Sequence, residues 1–194
     1  SLAHFSKDKP RRILLNNCPF DLVKLLAYCI DVDSGCASST RLAACTIITA
    51  MMQDVETRYE DLIRSGLVGS LIKGLRDEED TIKSECGRLL GVLGSCVDAY
   101  PEVFRSSIRP LSMILSSNDA RLVLRVIDTL QILAKERKLH STYLGQGVVR
   151  YLNNLIRLDP SQVNEKVLVE GAKLYVILAC DNNIRAEILN QDLL

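Results

Sequence analysis

The segment Glu56–Leu75 has the sequence ETRYEDLIRSGLVGSLIKGL and contains two short helical patterns separated by a glycine. In the second pattern, Leu71 and Leu75 lie four residues apart, which places them on one face of a helix. Gly66 lies between the two patterns, and a glycine can adopt the positive φ that turns a chain sharply out of a helix. The segment therefore predicts a helix, a glycine turn and a second helix.

Two short apolar patterns recur along the chain at intervals of about 40 residues. The first recurs, 40 and 41 residues apart, as LIKGL at Leu71–Leu75, LSMIL at Leu111–Leu115 and LNNLI at Leu152–Ile156. The second recurs, 40 and 45 residues apart, as LGVLG from Leu90, LQILA from Leu130 and YVILA from Tyr175. Each pattern has helical spacing, so the chain is predicted to repeat a unit of three helices.

The residues between the predicted helices support this unit. Gly147 separates a first helix from a second helix, as Gly66 does. Polar runs at 77–80 (DEED), 116–119 (SSND) and 159–161 (DPS) precede the predicted long third helices. Oxygen acceptors at the start of a helix bind its free N–H groups, so we expect these runs to cap the third helices.

Residues 56–75, together with the end of a third helix from Cys86 to Gly94, resemble an armadillo repeat. The resemblance extends over nearly the whole chain, although Ser107 or Ile108 replaces the turn glycine in the third unit. It implies an all-α fold, a right-handed α-solenoid (superhelix) of about four armadillo-like three-helix repeats. We expect one domain over residues 1–194. Because both ends fall inside repeats, we expect either a fragment of a longer protein or unusual capping helices.

The predicted repeats are approximately 6–53, 55–96, 98–136 and 138–181, followed by a partial repeat at 182–194. The predicted helices are 7–17, 20–30 and 38–53; 56–65, 67–76 and 80–95; 98–106, 108–116 and 120–136; 138–145, 148–158 and 162–180; and 183–191.

Composition excludes several classes of function. Hydrophobic residues make up 47% of the 194 residues and charged residues 25%, which is typical of a globular protein. Lys and Arg together number 24, as do Asp and Glu, so the basic excess of most nucleic-acid-binding domains is missing. No apolar run reaches the roughly 18 residues that span a bilayer. We therefore expect no nucleic-acid partner and no membrane insertion.

Cysteine and histidine spacings do not point to a metal or redox site. The seven cysteines are odd in number and irregularly spaced, which predicts reduced thiols in a cytoplasmic protein. Cys86, Cys96 and Cys180 occupy apolar positions of third helices and are expected in the core. His140 is predicted on a short, exposed helix without a ligand partner nearby. Since no paired catalytic carboxylates or nucleophile motif occur either, we expect no enzyme activity, no metal and no cofactor.

The third helices of armadillo proteins line a concave face that usually binds a partner. In importin-α-like repeats, a Trp and an Asn four residues later clamp an extended basic peptide. The positions that match the Trp are Arg88, Asp128 and Lys173, and those that match the Asn are Val92, Ile132 and Ile177. Because neither residue type occurs there, this chain is not expected to bind nuclear localisation signals in that manner.

Helical spacing extends the same face to further charged residues. The predicted partner-binding residues on the concave face are Arg88, Arg121, Arg125, Asp128, Ile132, Lys166, Glu170, Lys173 and Ile177. Arg121 and Arg125 together offer bidentate donors for carboxylates of a partner. The face suits a helix or extended peptide with apolar anchors and acidic flanks. Alternatively, the aliphatic residues belong to the core and the charged residues are merely solvated.

Three functions from different classes remain open at this point. The first is a non-enzymatic scaffold or adaptor that binds a partner peptide or helix in the groove of third helices. The second is a regulatory or autoinhibitory domain of a larger enzyme or GTPase effector, a role that armadillo-like regions of some formins resemble. The third is a module that self-associates through its exposed repeat ends.

Overall fold

The computed structural model describes residues 22–53, 59–157 and 164–192, and all regular structure in these ranges is helical. The α-helices are α1 Leu22–Ile30, α2 Ser38–Met52, α3 Tyr59–Arg64, α4 Leu67–Gly74, α5 Asp80–Leu93, α6 Pro101–Arg105, α7 Ile108–Ile114, α8 Ala120–Leu133, α9 His140–Gly145, α10 Val148–Ile156, α11 Glu165–Ala179 and α12 Asn182–Asp192. Short 3₁₀ turns occur at Val32–Ser34, Gly94–Cys96 and Arg137–Leu139. The predicted all-α fold is confirmed, and the predicted helix 7–17 lies outside the described residues.

The helices form two compact units that divide after Cys96. In the first unit, α1 packs against α2 and α4, and both of these pack against α5. The side chains of Ile30, Ile48, Leu71 and Leu89 are fully buried in this core. Aliphatic residues at helical spacing therefore build the core, as the apolar patterns predicted.

In the second unit, α7 packs against α8 and α10, and both α8 and α10 pack against α11. Helix α12 contacts α9, α10 and α11. Within each unit, a third helix thus lies beside the next third helix, since α2 contacts α5 and α8 contacts α11. This arrangement is a helical repeat, while the single domain over residues 1–194 and its fragment status stay predictions.

Glycine provides the turn between first and second helices where it was predicted. Gly66 has φ 86° and precedes α4, and Gly147 has φ 69° and precedes α10. In the third predicted repeat, 98–136, Ser107 takes that place with φ −79°, and its hydroxyl donates to the carbonyl of Phe104 at 2.7 Å. A side-chain hydrogen bond thus accompanies a right-handed turn where the glycine is missing.

Some helix ends differ from the prediction. Helix α6 begins at Pro101 and not at residue 98, because proline has a fixed φ and no N–H and therefore favours the first helical position. Helix α8 ends at Leu133 and not at 136, and a separate 3₁₀ turn follows. Helix α11 begins at Glu165, capped by the Asn164 side chain, which accepts from the Lys166 N–H at 2.9 Å. The predicted cap at 159–161 lies outside the described residues.

The predicted cap of α8 is confirmed, whereas the one before α5 has another role. The Asp119 carboxylate accepts from the N–H groups of Arg121 and Leu122. The Asp77 carboxylate is buried and accepts from the Glu79 N–H at 3.0 Å and from Arg41 Nε at 2.6 Å. Asp77 therefore orders the turn before α5 and pairs with α2, and it does not cap the helix.

The prediction that three third-helix cysteines are core residues holds for one of them. Cys86 is fully buried, Cys96 is half-buried in a 3₁₀ turn, and Cys180 is exposed just after α11 ends. Cys86 fits because Gly74 faces it: a Cβ on Gly74 would lie 2.5 Å from the Cys86 sulfur. All described cysteines are free thiols.

Candidate protein-binding face

Helices α8 and α11 of the second unit bring together eight of the nine predicted site residues. Arg121, Arg125, Asp128 and Ile132 lie on α8, and Lys166, Glu170, Lys173 and Ile177 lie on α11. The two helices pack side by side, so these residues form one surface, which we call the α8–α11 face. The ninth residue, Arg88, lies on α5 in the first unit.

Two arginines of this face are available to a partner. Arg121 and Arg125 are exposed and lie one helical turn apart. Among the described residues, neither guanidinium has a hydrogen-bond or ion-pair partner. Because a guanidinium matches a carboxylate with two parallel hydrogen bonds, this pair can bind acidic side chains of another chain.

A mixed charge cluster lies beside the arginines. The pKa of Glu170 is lowered, first by the hydrogen bond from Lys173 Nζ at 2.8 Å and then by the one from Gln131. The pKa of Asp128 is raised by partial desolvation and by the negative charge of Glu170, while Arg125 and nearby lysines oppose the shift. The face therefore holds one carboxylate, Glu170, that is already paired. The other, Asp128, would be stabilised by an added cation or by protonation.

Gln131 connects the two helices and was missed in the sequence. Its Nε2 donates to the main-chain carbonyl of Glu170 at 2.9 Å and to Glu170 Oε2 at 3.2 Å. The available signal was a polar residue inside the apolar LQILA pattern at Leu130–Ala134. The contact fixes the register of α8 against α11 and thus the spacing of the charged groups.

The aliphatic residues of the face are neither fully in the core nor fully exposed. Ile132 and Ile177 are both half-buried, and Val176 next to Ile177 is 67% exposed. Each isoleucine packs inward with part of its side chain and leaves the rest accessible, so burial decides for neither reading of this row. Such partly exposed aliphatic side chains can serve as shallow anchors.

Charges on the face do not balance. Four cations, Arg121, Arg125, Lys166 and Lys173, accompany two carboxylates, Asp128 and Glu170. Lys173 is paired with Glu170, whereas Lys166 is exposed and has no ion pair among the described residues. The excess positive charge favours an acidic partner.

Arg88 differs from the arginines of the α8–α11 face because its guanidinium is already occupied. Its Nε and Nη2 donate to Glu85 Oε2 at 3.0 and 2.8 Å, and Nη2 also donates to the Thr49 hydroxyl. The contact with Thr49 ties α5 to α2 within the first unit. Arg88 as a partner-binding residue stays a prediction, and these bonds would have to be exchanged on binding.

His140 is not on an exposed helix, and this part of the prediction is wrong. It is 7% exposed, with Nε2 lying 2.8 Å from the Ala134 carbonyl oxygen and Nδ1 3.2 Å from Asp181 Oδ2. The C-cap residue of α8 and the residue before α12 converge on the imidazole, which a sequence pattern could not reveal. Within the described ranges, no cluster of three potential metal ligands occurs.

The surface also carries a shallow groove outside the α8–α11 face, with a volume of about 450 Å³. Arg109 and Arg150 line it together with Tyr151, Glu187 and the 145–147 turn. These two exposed arginines provide a matched control for the arginines on α8.

Among the described helices, none has both the length and the apolar character that a bilayer crossing requires.

No protein-family model and no curated protein matches the sequence at a significant level. Solved structures do match in fold. One crystal structure of an engineered protein has a TM-score of 0.77 at 16% identity, covering 97% of this chain and 76% of the other. A second engineered protein has a TM-score of 0.71 at 17% identity, with 92% and 70% covered. A third has a TM-score of 0.70 at 16% identity, with 91% of this chain and 42% of the other covered.

At this identity the likeness concerns the fold alone. The chain has a helical-repeat fold, and its membership of the armadillo family stays a prediction.

Proposed function

We propose that this chain is a non-enzymatic protein-interaction module that binds a peptide or helix of a partner protein on the α8–α11 face. One observation carries the proposal: Arg121 and Arg125 are exposed and unpaired among the described residues, on the face that also carries the half-buried Ile132 and Ile177. The partner is an acidic segment with aliphatic anchors. It engages the guanidinium groups through carboxylates and the isoleucines through apolar contact.

The exposure of the arginines and isoleucines indicates what each would contribute to binding. Ion pairs of exposed arginines contribute little each, so apolar contact with Ile132 and Ile177 supplies affinity, while the arginines select acidic partners and speed association. An armadillo-like scaffold or adaptor in the cytoplasm is the setting we propose, supported by the free cysteines and the repeat resemblance.

The test compares proteins captured from a cell lysate by the wild-type chain and by the double variant Arg121→Glu/Arg125→Glu, identified by mass spectrometry. We expect a set of captured proteins to be lost with this variant and kept with the matched control Arg109→Glu/Arg150→Glu. Thermal unfolding should be unchanged in both, because all four side chains are exposed. Equal capture by all three chains, or equal loss with both variants, would contradict the assignment of the face.

A further inference from the structure

Two pairs of cysteine side chains are in contact in the first unit. The thiols of Cys29 and Cys36 share a hydrogen bond, and so do the thiols of Cys45 and Cys86. Cys45 and Cys86 are fully buried, whereas Cys29 and Cys36 are half-buried. A small reagent dissolved in water can therefore reach the Cys29–Cys36 pair in the folded chain, and it cannot reach the Cys45–Cys86 pair.

The connection between α1 and α2 brings the two half-buried cysteines together. Cys29 lies in the last turn of α1, and a 3₁₀ turn follows that ends at Ser34. Gly35 then has φ 73°, which turns the chain before Cys36. The Tyr28 hydroxyl donates to the Ser34 carbonyl at 3.3 Å. The contact between the thiols is thus accompanied by a hydrogen bond between residues close to each of them.

The loop that carries Cys36 is anchored on α2. The Cys36 N–H donates to Ser34 Oγ at 3.2 Å, and its carbonyl oxygen accepts from Arg41 Nη1. Arg41 also pairs with the buried Asp77 carboxylate, with Nε and Oδ2 2.6 Å apart. Because the main chain of Cys36 is held on both sides of its Cα, the contact between the two thiols belongs to the folded loop.

The two thiols are suited to different steps of a reaction. Partial burial, followed by the neighbouring Cys36 thiol, raises the pKa of Cys29. Because the thiolate is the nucleophile, Cys29 is poorly suited to attack a reagent first. It is well placed for a second step, in which it attacks the sulfur of Cys36 that it already contacts.

We propose that Cys29 and Cys36 form a site of reversible oxidation, at which a low-molecular-weight disulfide is reduced and an intramolecular disulfide is formed. The Cys36 thiolate attacks one sulfur of the reagent, its S–S bond breaks, and one thiol leaves with the proton that Cys36 lost. The Cys29 thiolate then attacks Cys36 Sγ, and the second thiol leaves with the proton of Cys29. Two electrons pass from the cysteines to the reagent, and an excess of thiol reverses both steps.

The test treats the folded full chain with oxidised glutathione, blocks the remaining thiols with N-ethylmaleimide in urea and locates the modified cysteines by peptide mass spectrometry. We expect a Cys29–Cys36 disulfide, lighter than the dithiol by two hydrogen atoms, which reduced glutathione removes. Cys45 and Cys86 are the matched control and should be recovered as blocked thiols, because the same contact exists without access. Absence of the Cys29–Cys36 disulfide, equal oxidation of both pairs, or a link from Cys29 or Cys36 to any other cysteine would overturn the proposal.

Single variants test the order of the two steps. Cys29→Ser should accumulate a mixed disulfide with glutathione at Cys36, because the thiol that would displace glutathione is missing. Cys36→Ser should carry at least about threefold less glutathione at Cys29 after the same time. Equal or greater modification of Cys29 in that variant would contradict the first attack by Cys36.

Thermal unfolding shows whether the disulfide fits the folded chain. The oxidised chain should keep its helical circular dichroism and unfold at a higher temperature than the reduced chain, because a cross-link restricts the unfolded chain. The double variant Cys29→Ser/Cys36→Ser, treated in the same way, should show no such rise. A lower unfolding temperature after oxidation of the wild type would mean that the disulfide forms only when the loop is distorted, and would reject the site.

Discussion

At the scale of single residues, the carboxylates of Asp128 and Glu170 acquire different properties from two neighbouring helices. Glu170 accepts hydrogen bonds from Lys173 and Gln131, which stabilise its charged form. Asp128 is partly desolvated and lies in the field of Glu170, which destabilises its charged form. Because Asp ordinarily ionises below Glu, the two helices shift the pKa values of these groups towards each other.

A carboxyl-detected NMR titration of the full chain checks this prediction. Glu170 should ionise below its ordinary pKa and Asp128 above its own. Glu170→Gln should lower the pKa of Asp128, because the neighbouring negative charge is removed. An ordinary pKa for both groups would show that the two helices do not hold them as described.

Asp181 combines two roles at the junction of α11 and α12. Its Oδ1 accepts from the N–H groups of Asn183 and Ile184, and its Oδ2 lies near His140. The pKa of Asp181 is lowered, first by the hydrogen bond from the Ile184 N–H. Since the folded pKa lies below the unfolded value near 3.9, its stabilising effect is complete above that value and is lost as pH falls through the folded pKa.

We expect Asp181→Ala to lower the free energy of unfolding at pH 7 by about 0.5–2 kcal/mol, the usual cost of a lost helix cap. Urea unfolding followed by circular dichroism measures the effect. Asp181→Asn keeps an oxygen that can cap α12 and should cost less. The difference between the wild type and Asp181→Ala should shrink as pH falls through the folded pKa of Asp181; a difference that stays constant on acidification would rule out an ionised Asp181 as its cause.

At the scale of elements, the turns between first and second helices depend on backbone conformation and not on packing. Gly66 and Gly147 have positive φ, and a Cβ built on either meets no atom within 4 Å. Space is therefore available, and the strain of a left-handed residue alone opposes a side chain. Gly69 and Gly145 also have open space around them but no positive φ.

Gly66→Ala and Gly147→Ala should each lower the free energy of unfolding by about 1–2 kcal/mol, the cost of the left-handed conformation for an L-residue. Gly69→Ala and Gly145→Ala serve as matched controls and should be neutral or stabilising by up to about 1 kcal/mol, since alanine favours helices. Chemical denaturation measures all four. Equal effects in both pairs would mean that turn conformation is not what these glycines provide.

At the scale of the whole molecule, a formal net charge of zero hides an uneven distribution. The α8–α11 face has twice as many cations as carboxylates, and the excess is exposed. Attraction between exposed charges is screened over about 10 Å at 0.1 M salt and about 3 Å at 1 M. Binding on this face should therefore depend on ionic strength.

We expect proteins that depend on Arg121 and Arg125 for capture to be retained progressively less as NaCl is raised from about 0.05 to 0.5 M. Quantitative mass spectrometry of the captured proteins measures the loss. Proteins that Arg121→Glu/Arg125→Glu still captures should show a weaker salt dependence. A salt-independent capture of the arginine-dependent set would indicate that apolar contact alone holds these partners.

The repeat unit, the helix order and the turn glycines were all predictable, because apolar spacing and glycine position act locally along the chain. The sequence also predicted that α8 and α11 carry the charged face, since equivalent repeat positions share one side of their helices. It could not show that Arg88 also binds Thr49, because Thr49 lies 39 residues away.

The amino-acid sequence by itself thus determined an all-helical repeat and the residues that line its third helices, through the 3.6-residue periodicity of aliphatic side chains. Only the tertiary structure decided which polar groups pair across helices, as Gln131 does with Glu170 and His140 with Asp181. It also decided that Val169 and Val176 remain exposed. The physical reason is that pairing and burial depend on which helix packs beside which, and a local sequence pattern does not specify that packing.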